Sequence, residues 1–415
     1  MGGVRRRRDE ILATSRTGTV HAMLSGSLRV AVVALWIVVF SNGTLFYIER
    51  QVFDLPGRWE GPVLLPAILG SVALGVGLVL VDWRLRGGCL RPVPRIPAAA
   101  AAGFGLWATA TTWWSLEPAE TWWRGVVYSL LPFVAWVIAD LSSSQLRRGV
   151  GLGTGILVAG SVSLVIAGAP GSVNDSGDWQ GTMTNRNSLA PICALAVLVG
   201  VSLVLEGVRR SGVLLVTLGV AGLVGSGSRT AVLALTVALV VSSLVTIDSN
   251  RFGLQRRSVR VSLLIASGVF IAFTALLSWH VPTFAQRRVI WRLVSDHVVD
   301  APLTGKGWGA FWRHPELHDH PLLQKGSAHG SIPDILLGGG VIALVLWLVV
   351  VGYALASTGS RAWRSRDTDA WLWFALTLFL VVQNATESFV LWFSYNWVLL
   401  IAASLTTGDR RLRAS

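Results

Sequence analysis

The sequence predicts an all-α integral membrane protein of about 12 transmembrane helices, with one large external loop between spans 9 and 10 that contains a surface helix. Three observations predict it. Hydrophobic residues make up 53% of the 415 positions and charged residues 14%, whereas a soluble domain carries about 25% charge. Apolar runs of about 18 residues or more, each able to cross a hydrocarbon core about 30 Å thick, recur along the whole chain. Lys and Arg alternate from loop to loop. A soluble helical protein could not cover so many all-round apolar helices with so little polar surface.

Taken in order, a basic segment over 1–27 (Arg5, Arg6, Arg7, Arg8, Arg16) is expected in the cytoplasm. Nine spans follow within 28–281, near 28–48, 61–82, 97–114, 121–141, 149–169, 187–206, 211–226, 229–247 and 260–281. An external loop covers 282–331. Three more spans lie within 332–406, near 332–355, 369–386 and 388–406, and a basic tail over 407–415 returns to the cytoplasm. Of the 35 Lys and Arg, 24 fall on the side of the termini and 11 on the other, 6 of those 11 in the long loop. An excess of positive charge marks the cytoplasmic side. The net charge of +13 is therefore a topology signal with attraction to anionic lipid, not a nucleic-acid footprint. Cys89 and Cys193 fall on opposite sides or depths, so neither a disulfide nor a thiol metal site is implied. The first span is long and no small-residue cleavage site follows it, so no cleavable signal is expected. Trp113, Trp114, Trp122 and Trp123, among 20 Trp, sit near span ends where an interfacial belt would place them. No soluble domain and no internal repeat is evident.

Two external loops stand out. The first, about Pro170 to Arg186, is rich in Gly, Asn and Asp. The second, the long loop, opens with helical periodicity: Ile290, Leu293, Val294, His297 and Val298 share one face, and Arg288 and Arg292 lie one turn apart on another. Such a helix would lie flat at the outer membrane surface. The turn-rich stretch Pro302-Leu-Thr-Gly-Lys-Gly-Trp-Gly follows, and the loop holds His297, His314, His318, His320 and His329.

Four external positions carry candidate chemistry. Arg186, with Asn185 and Asn187, opens the sixth span. Arg229 sits in the tight turn Gly225-Ser-Gly-Ser-Arg-Thr. Arg287 and Arg288 lie on the surface helix. His329 stands just before the tenth span, followed by Gly338, Gly339 and Gly340. An arginine at a membrane edge is costly to bury and pairs with something, and its guanidinium fork suits phosphate oxygens. Several on one face could clamp a pyrophosphate at the lipid–water boundary, and a histidine at that level could accept a proton from an attacking hydroxyl. Each has a plainer alternative: arginines snorkel to headgroups, a lone loop histidine is structural, and the three glycines permit close helix packing. The histidines 314, 318 and 320 are Pro-interrupted and lack a nearby Cys, which argues against zinc.

These residues resemble the O-antigen ligase and polymerase superfamily over most of the chain. GTMTNRNSLA (181–190), SGSRTA (226–231), RRVIWRLVSDHVVDAPLTGKGWGAF (287–311) and His329 with Gly340 eleven residues later agree with its motifs in order and placement. Gly330 and Ala343 depart from the residues usual in the histidine motif. The resemblance implies transfer of a glycan from a polyprenyl (undecaprenyl) pyrophosphate carrier to a glycan, lipid or protein acceptor hydroxyl, at the outer face of a bacterial cytoplasmic membrane. It implies no metal, cofactor or nucleotide sugar. Arg229, the surface-helix arginine (Arg287, or its neighbour Arg288) and Arg186 would hold the pyrophosphate. His329 would activate the acceptor, with inversion at the anomeric carbon, and Asn187 and Glu387 are further candidates. A repeat-unit polymerase of the same superfamily and a protein-O-glycosylating relative stay open. So does a 12-helix secondary transporter, although neither related halves nor mid-membrane charges of the kind transporters use are evident.

Overall fold

The computed structural model describes residues 26–41, 43–51, 63–85, 92–183, 185–246, 282–314, 326–365, 367–391 and 394–406. The expected ninth span at 260–281 lies outside the described residues, as do Cys89, His318 and His320. Thirteen helices are named here: α1 Gly26–Val39, α2 Thr44–Gln51, α3 Leu64–Leu85, α4 Arg95–Ala110, α5 Pro118–Ala139, α6 Ser143–Ile166, α7 Arg186–Leu205, α8 Arg209–Ser226, α9 Arg229–Thr246, α10 Pro282–Asp300, α11 Ser331–Ser365, α12 Thr368–Thr386 and α13 Tyr395–Leu405. No strand occurs among the described residues. Six of these helices, α3, α5, α6, α7, α9 and α11, are long and apolar enough to cross a membrane.

Helix starts follow local chemistry. The Ser142 hydroxyl accepts from Gln145 N while the Gln145 side chain accepts from Ser142 N, a reciprocal cap that satisfies two end donors. Asn185 caps α7, Asp367 caps α12 and Ser394 caps α13. α8 ends at Gly227, whose φ of 60° is left-handed, as a helix terminus before a sharp turn requires.

Helix α7 is buried nearly all round, from Leu189 through Gly200, and forms the centre against which α6, α8 and α12 pack. Its hairpin with α8 is drawn close by small residues. A side chain at Gly200 would meet Gly212 O at 2.8 Å, and one at Gly222 would meet Cys193 Sγ at 2.4 Å. Such close approach adds van der Waals contact where the solvent is as apolar as the side chains.

One end of the bundle is pinned by ion pairs. Arg29 of α1 binds Asp140 at 2.8 Å and Asp82 at 3.7 Å. Arg147 of α6 binds Asp369 of α12 and, at 3.4 Å, Glu206 after α7. The other end gathers the 170–183 loop, the α8–α9 turn, the segment 111–118, α10, the turn before α11 and the end of α12. Trp113, 88% exposed, and Trp122, 57% exposed, stand out from that end.

Helix α11 is broken at Gly340 (φ 66°, ψ −165°), and the break receives the turn-rich stretch after α10. Val341 N donates to Pro302 O at 2.9 Å, Lys306 N to Leu337 O at 2.7 Å and Gly307 N to Gly338 O at 3.2 Å. Trp107 of α4 donates to Gly339 O at 2.8 Å. The glycine run thus serves close backbone packing. A Cβ at Gly340 would lie 2.2 Å from the Leu303 carbonyl carbon, and the left-handed φ adds its own penalty for a non-glycine residue. Gly340→Ala is therefore expected to cost about 2 kcal/mol or more, seen as a lowered melting temperature of the full-length protein in detergent; an unchanged melting curve would contradict the docked break.

Candidate active site

The site is built on α10, the segment before α11 and the end of α12. On α10, Ile290 and Val294 are fully buried with Phe311, Trp312, Ala328, Leu337 and Leu391 in a small separate core. Leu293 and Val298 are half-buried beside it, so the apolar face expected from periodicity is the face that docks. Arg287, one turn before Ile290, falls on this inner face, while Arg292 is exposed.

The Arg287 guanidinium, 6% exposed, donates to Glu387 Oε1 at 2.7 Å and to Thr386 O at 2.6 Å. The Glu387 carboxylate, 8% exposed, holds its second oxygen 3.4 Å from His329 Nδ1. Three sequence-distant elements are thereby joined as Arg287–Glu387–His329. The imidazole stays 24% exposed, so it can meet a ligand while its other edge faces the carboxylate. A carboxylate in that position fixes the ring's orientation and tautomer. His329 has φ 52°, the one left-handed non-glycine residue among the described residues.

A second group forms around the α8–α9 turn. Loop 170–183 folds over it: Trp179 N donates to Gly225 O at 2.9 Å, and Asn174 Oδ1 accepts from the Ser176 and Asp178 amides. Arg186, 42% exposed, pairs with Asp178 at 2.6 Å. Asn187 Oδ1 accepts from Ser228 Oγ at 3.3 Å. Arg229 opens α9 as an exposed residue, at the mouth of an apolar groove of about 470 Å³ lined by Leu223, Val224, Val232 and Leu233.

The two groups share one level of the bundle. α9 packs against α12, and Trp371 Nε1 of α12 meets Ser243 Oγ of α9 at 3.4 Å. At about 1.5 Å per residue, Arg229 and Thr386 each lie roughly 21 to 23 Å from that contact, towards the same end. Arg229 is thus level with the Arg287–Glu387 pair.

At the far end of α10, Lys306 Nζ lies 2.8 Å from Asp300 Oδ2 and 3.4 Å from His297 Nδ1. Its hydrogen bond and charge hold the Asp300 carboxyl below its ordinary value. Burial, then the neighbouring ammonium, lowers His297. Among the described residues no cluster of three or more His, Cys, Asp or Glu could hold a metal.

Sequence reasoning passed over Asp334. It is 1% exposed in the first turn of α11, where it accepts from Trp312 Nε1 at 2.8 Å and from Ala328 N at 3.1 Å. An acidic residue in an apolar run was the available signal, since such residues pair when buried.

Removing one partner of a buried ion pair leaves the other charge uncompensated and costs about 3–5 kcal/mol. Glu387→Gln is therefore expected to lower the melting temperature sharply, and adding Arg287→Gln to recover part of the loss. A double variant no better than the single would show that the pair is not energetically coupled.

No curated protein matches the chain. Residues 212–348, which carry Arg229, Arg287 and His329 within about a third of the sequence, match the family model described as O-Antigen ligase, so over that segment this multi-pass membrane protein is similar to the O-antigen ligases.

Proposed function

We propose that this protein transfers a glycan from a polyprenyl (undecaprenyl) pyrophosphate carrier to an acceptor hydroxyl at the outer face of the cytoplasmic membrane. The observation that carries the reading is the placement of His329 against Glu387, itself held by Arg287, with Arg229 at the same level. With the shorter apolar helices and the apolar stretch 260–281 added to the six long ones, the chain would make about twelve crossings with both termini in the cytoplasm. The site's end of the bundle is then external.

In the reaction the acceptor oxygen attacks the anomeric carbon as the bond to the pyrophosphate oxygen breaks. His329 takes the acceptor proton, and Glu387 stabilises the imidazolium that forms. Arg229, at a groove apolar enough for an isoprenoid chain, faces the charge left on the departing pyrophosphate, with Arg288 and Arg186 as further cations. Arg287 keeps Glu387 aimed, and Asn187 holds the Arg229 turn through Ser228. A single displacement of this kind inverts the anomeric centre and uses neither metal nor nucleotide sugar.

His329→Ala is expected to lower transfer by about 10²–10⁴-fold, the usual worth of a general base. Arg229→Ala should also abolish detectable transfer. Both variants should insert at parental abundance, and normal transfer in both would remove the assignment. The size distribution of lipid-linked glycans in a deletion strain tests the reaction itself. Long unattached chains mean a ligase, and single repeat units mean a polymerase. An unchanged profile excludes both.

A further inference from the structure

The segment that presents His329 is held from both sides by one buried carboxylate. Asp334 accepts from the Ala328 amide with Oδ1 at 3.1 Å and Oδ2 at 3.3 Å. It is also hydrogen-bonded to the Ser388 hydroxyl, and Ser388 Oγ accepts from Gly330 N at 3.0 Å. The amides of the residues on either side of His329 are therefore both tied to Asp334, Ala328 N directly and Gly330 N through Ser388. Trp291 Nε1 completes the restraint by donating to Ala328 O at 2.8 Å.

The restraint has a strained residue to hold. A non-glycine residue at φ 52° is in a sparsely populated region and stays there only where its surroundings over-determine it. The 1% exposure of Asp334 is also difficult to explain by stability alone. A carboxylate placed in an apolar helix is expensive, and here its hydrogen-bond partners are two neutral side chains and an amide.

We infer that Asp334 is a positioning residue for His329: it fixes the left-handed backbone at 329 so that the imidazole faces Glu387. The inference rests on the reading of His329 as the proton acceptor, but the restraint itself can be measured without it. An amide cannot replace the carboxylate. Asp334→Asn offers one acceptor oxygen where Ala328 N, Trp312 Nε1 and Ser388 Oγ all donate, and its NH₂ would face one of those donors.

The test uses full-length protein in detergent with three variants, Asp334→Asn, Ser388→Ala and His329→Ala. Diethyl pyrocarbonate labelling of His329 is followed by mass spectrometry, with the other histidines as reference, beside glycan transfer in the deletion strain. Asp334→Asn should label faster at His329 relative to the other histidines. It should also lose about a hundredfold in transfer, as misplacement by an ångström does. Ser388→Ala, which releases only Gly330, should shift both readouts in the same direction by less. Parental labelling at His329 in a folded Asp334→Asn protein would overturn the positioning role. If that variant does not accumulate, Ser388→Ala decides, and parental labelling there overturns it equally. Normal transfer by His329→Ala would sink the assignment of His329 as proton acceptor, while faster labelling in the other two would still establish the restraint.

Discussion

The break in α11 at Gly340 is the constraint on which the site end of the bundle depends. An uninterrupted helix would keep its carbonyls and amides for itself. By breaking, α11 offers Leu337 O and Gly338 O to Lys306 N and Gly307 N, and Val341 N to Pro302 O. The stretch after α10 is thereby fixed at its start. Its continuation carries Trp308 into the core between Phe104 and Tyr128, with ring centroids 5.1 and 5.2 Å away. A few residues on, Trp312 reaches Asp334. Asp334 holds Ala328, and the 328–330 segment holds His329. A backbone break thus connects, through one tryptophan and one carboxylate, to the orientation of an imidazole.

Charge is placed accordingly. At the opposite end, Arg29 and Arg147 each bridge sequence-distant helices. Such pairs are tolerable there because each includes groups partly open to solvent. Arg287 and Glu387 are different: both are nearly sealed, and a buried pair repays its desolvation only with good geometry and further hydrogen bonds. Arg287 also donates to Thr386 O, and Ser331 Oγ donates to Glu387 O at 3.1 Å. The pair is thus tied to the helix end that presents it, and its benefit is orientation more than net stability.

Local pattern made part of this legible. The apolar face of α10 was readable from spacing, and the same spacing separates Arg287 from Arg288, since only the former falls one turn before Ile290 on the docked side. The Ser-Arg turn was readable because Gly227 and the short interval between two apolar runs leave no other conformation. Glu387 was legible only as an acidic residue near a span end, because its partners lie 58 and 100 residues away. Asp334 was legible only as an acidic residue in an apolar run. Its partner Trp312 is on another element, and no periodicity records a side chain that reaches across a loop. The glycine run at 338–340 announced close approach, but not that the approaching chain would be the turn-rich stretch of the neighbouring loop.

The separation of Arg229 from the Arg287–Glu387–His329 group follows from what the proposed reaction needs. A proton acceptor works best in a site where its orientation is fixed and water is scarce, which favours a sealed carboxylate behind the imidazole. A cation for a departing pyrophosphate must stay available to it, so pairing it with a buried carboxylate would spend the charge in advance. Arg287 is spent in this way, and Arg186 is half-spent on Asp178. Arg229 opens a helix on the exposed side of a tight turn, beside an apolar groove that continues down α8 and α9. The register of α9 against α12 then sets the two functions at one height. That height is what a donor with its tail in the membrane and its sugar outside would require.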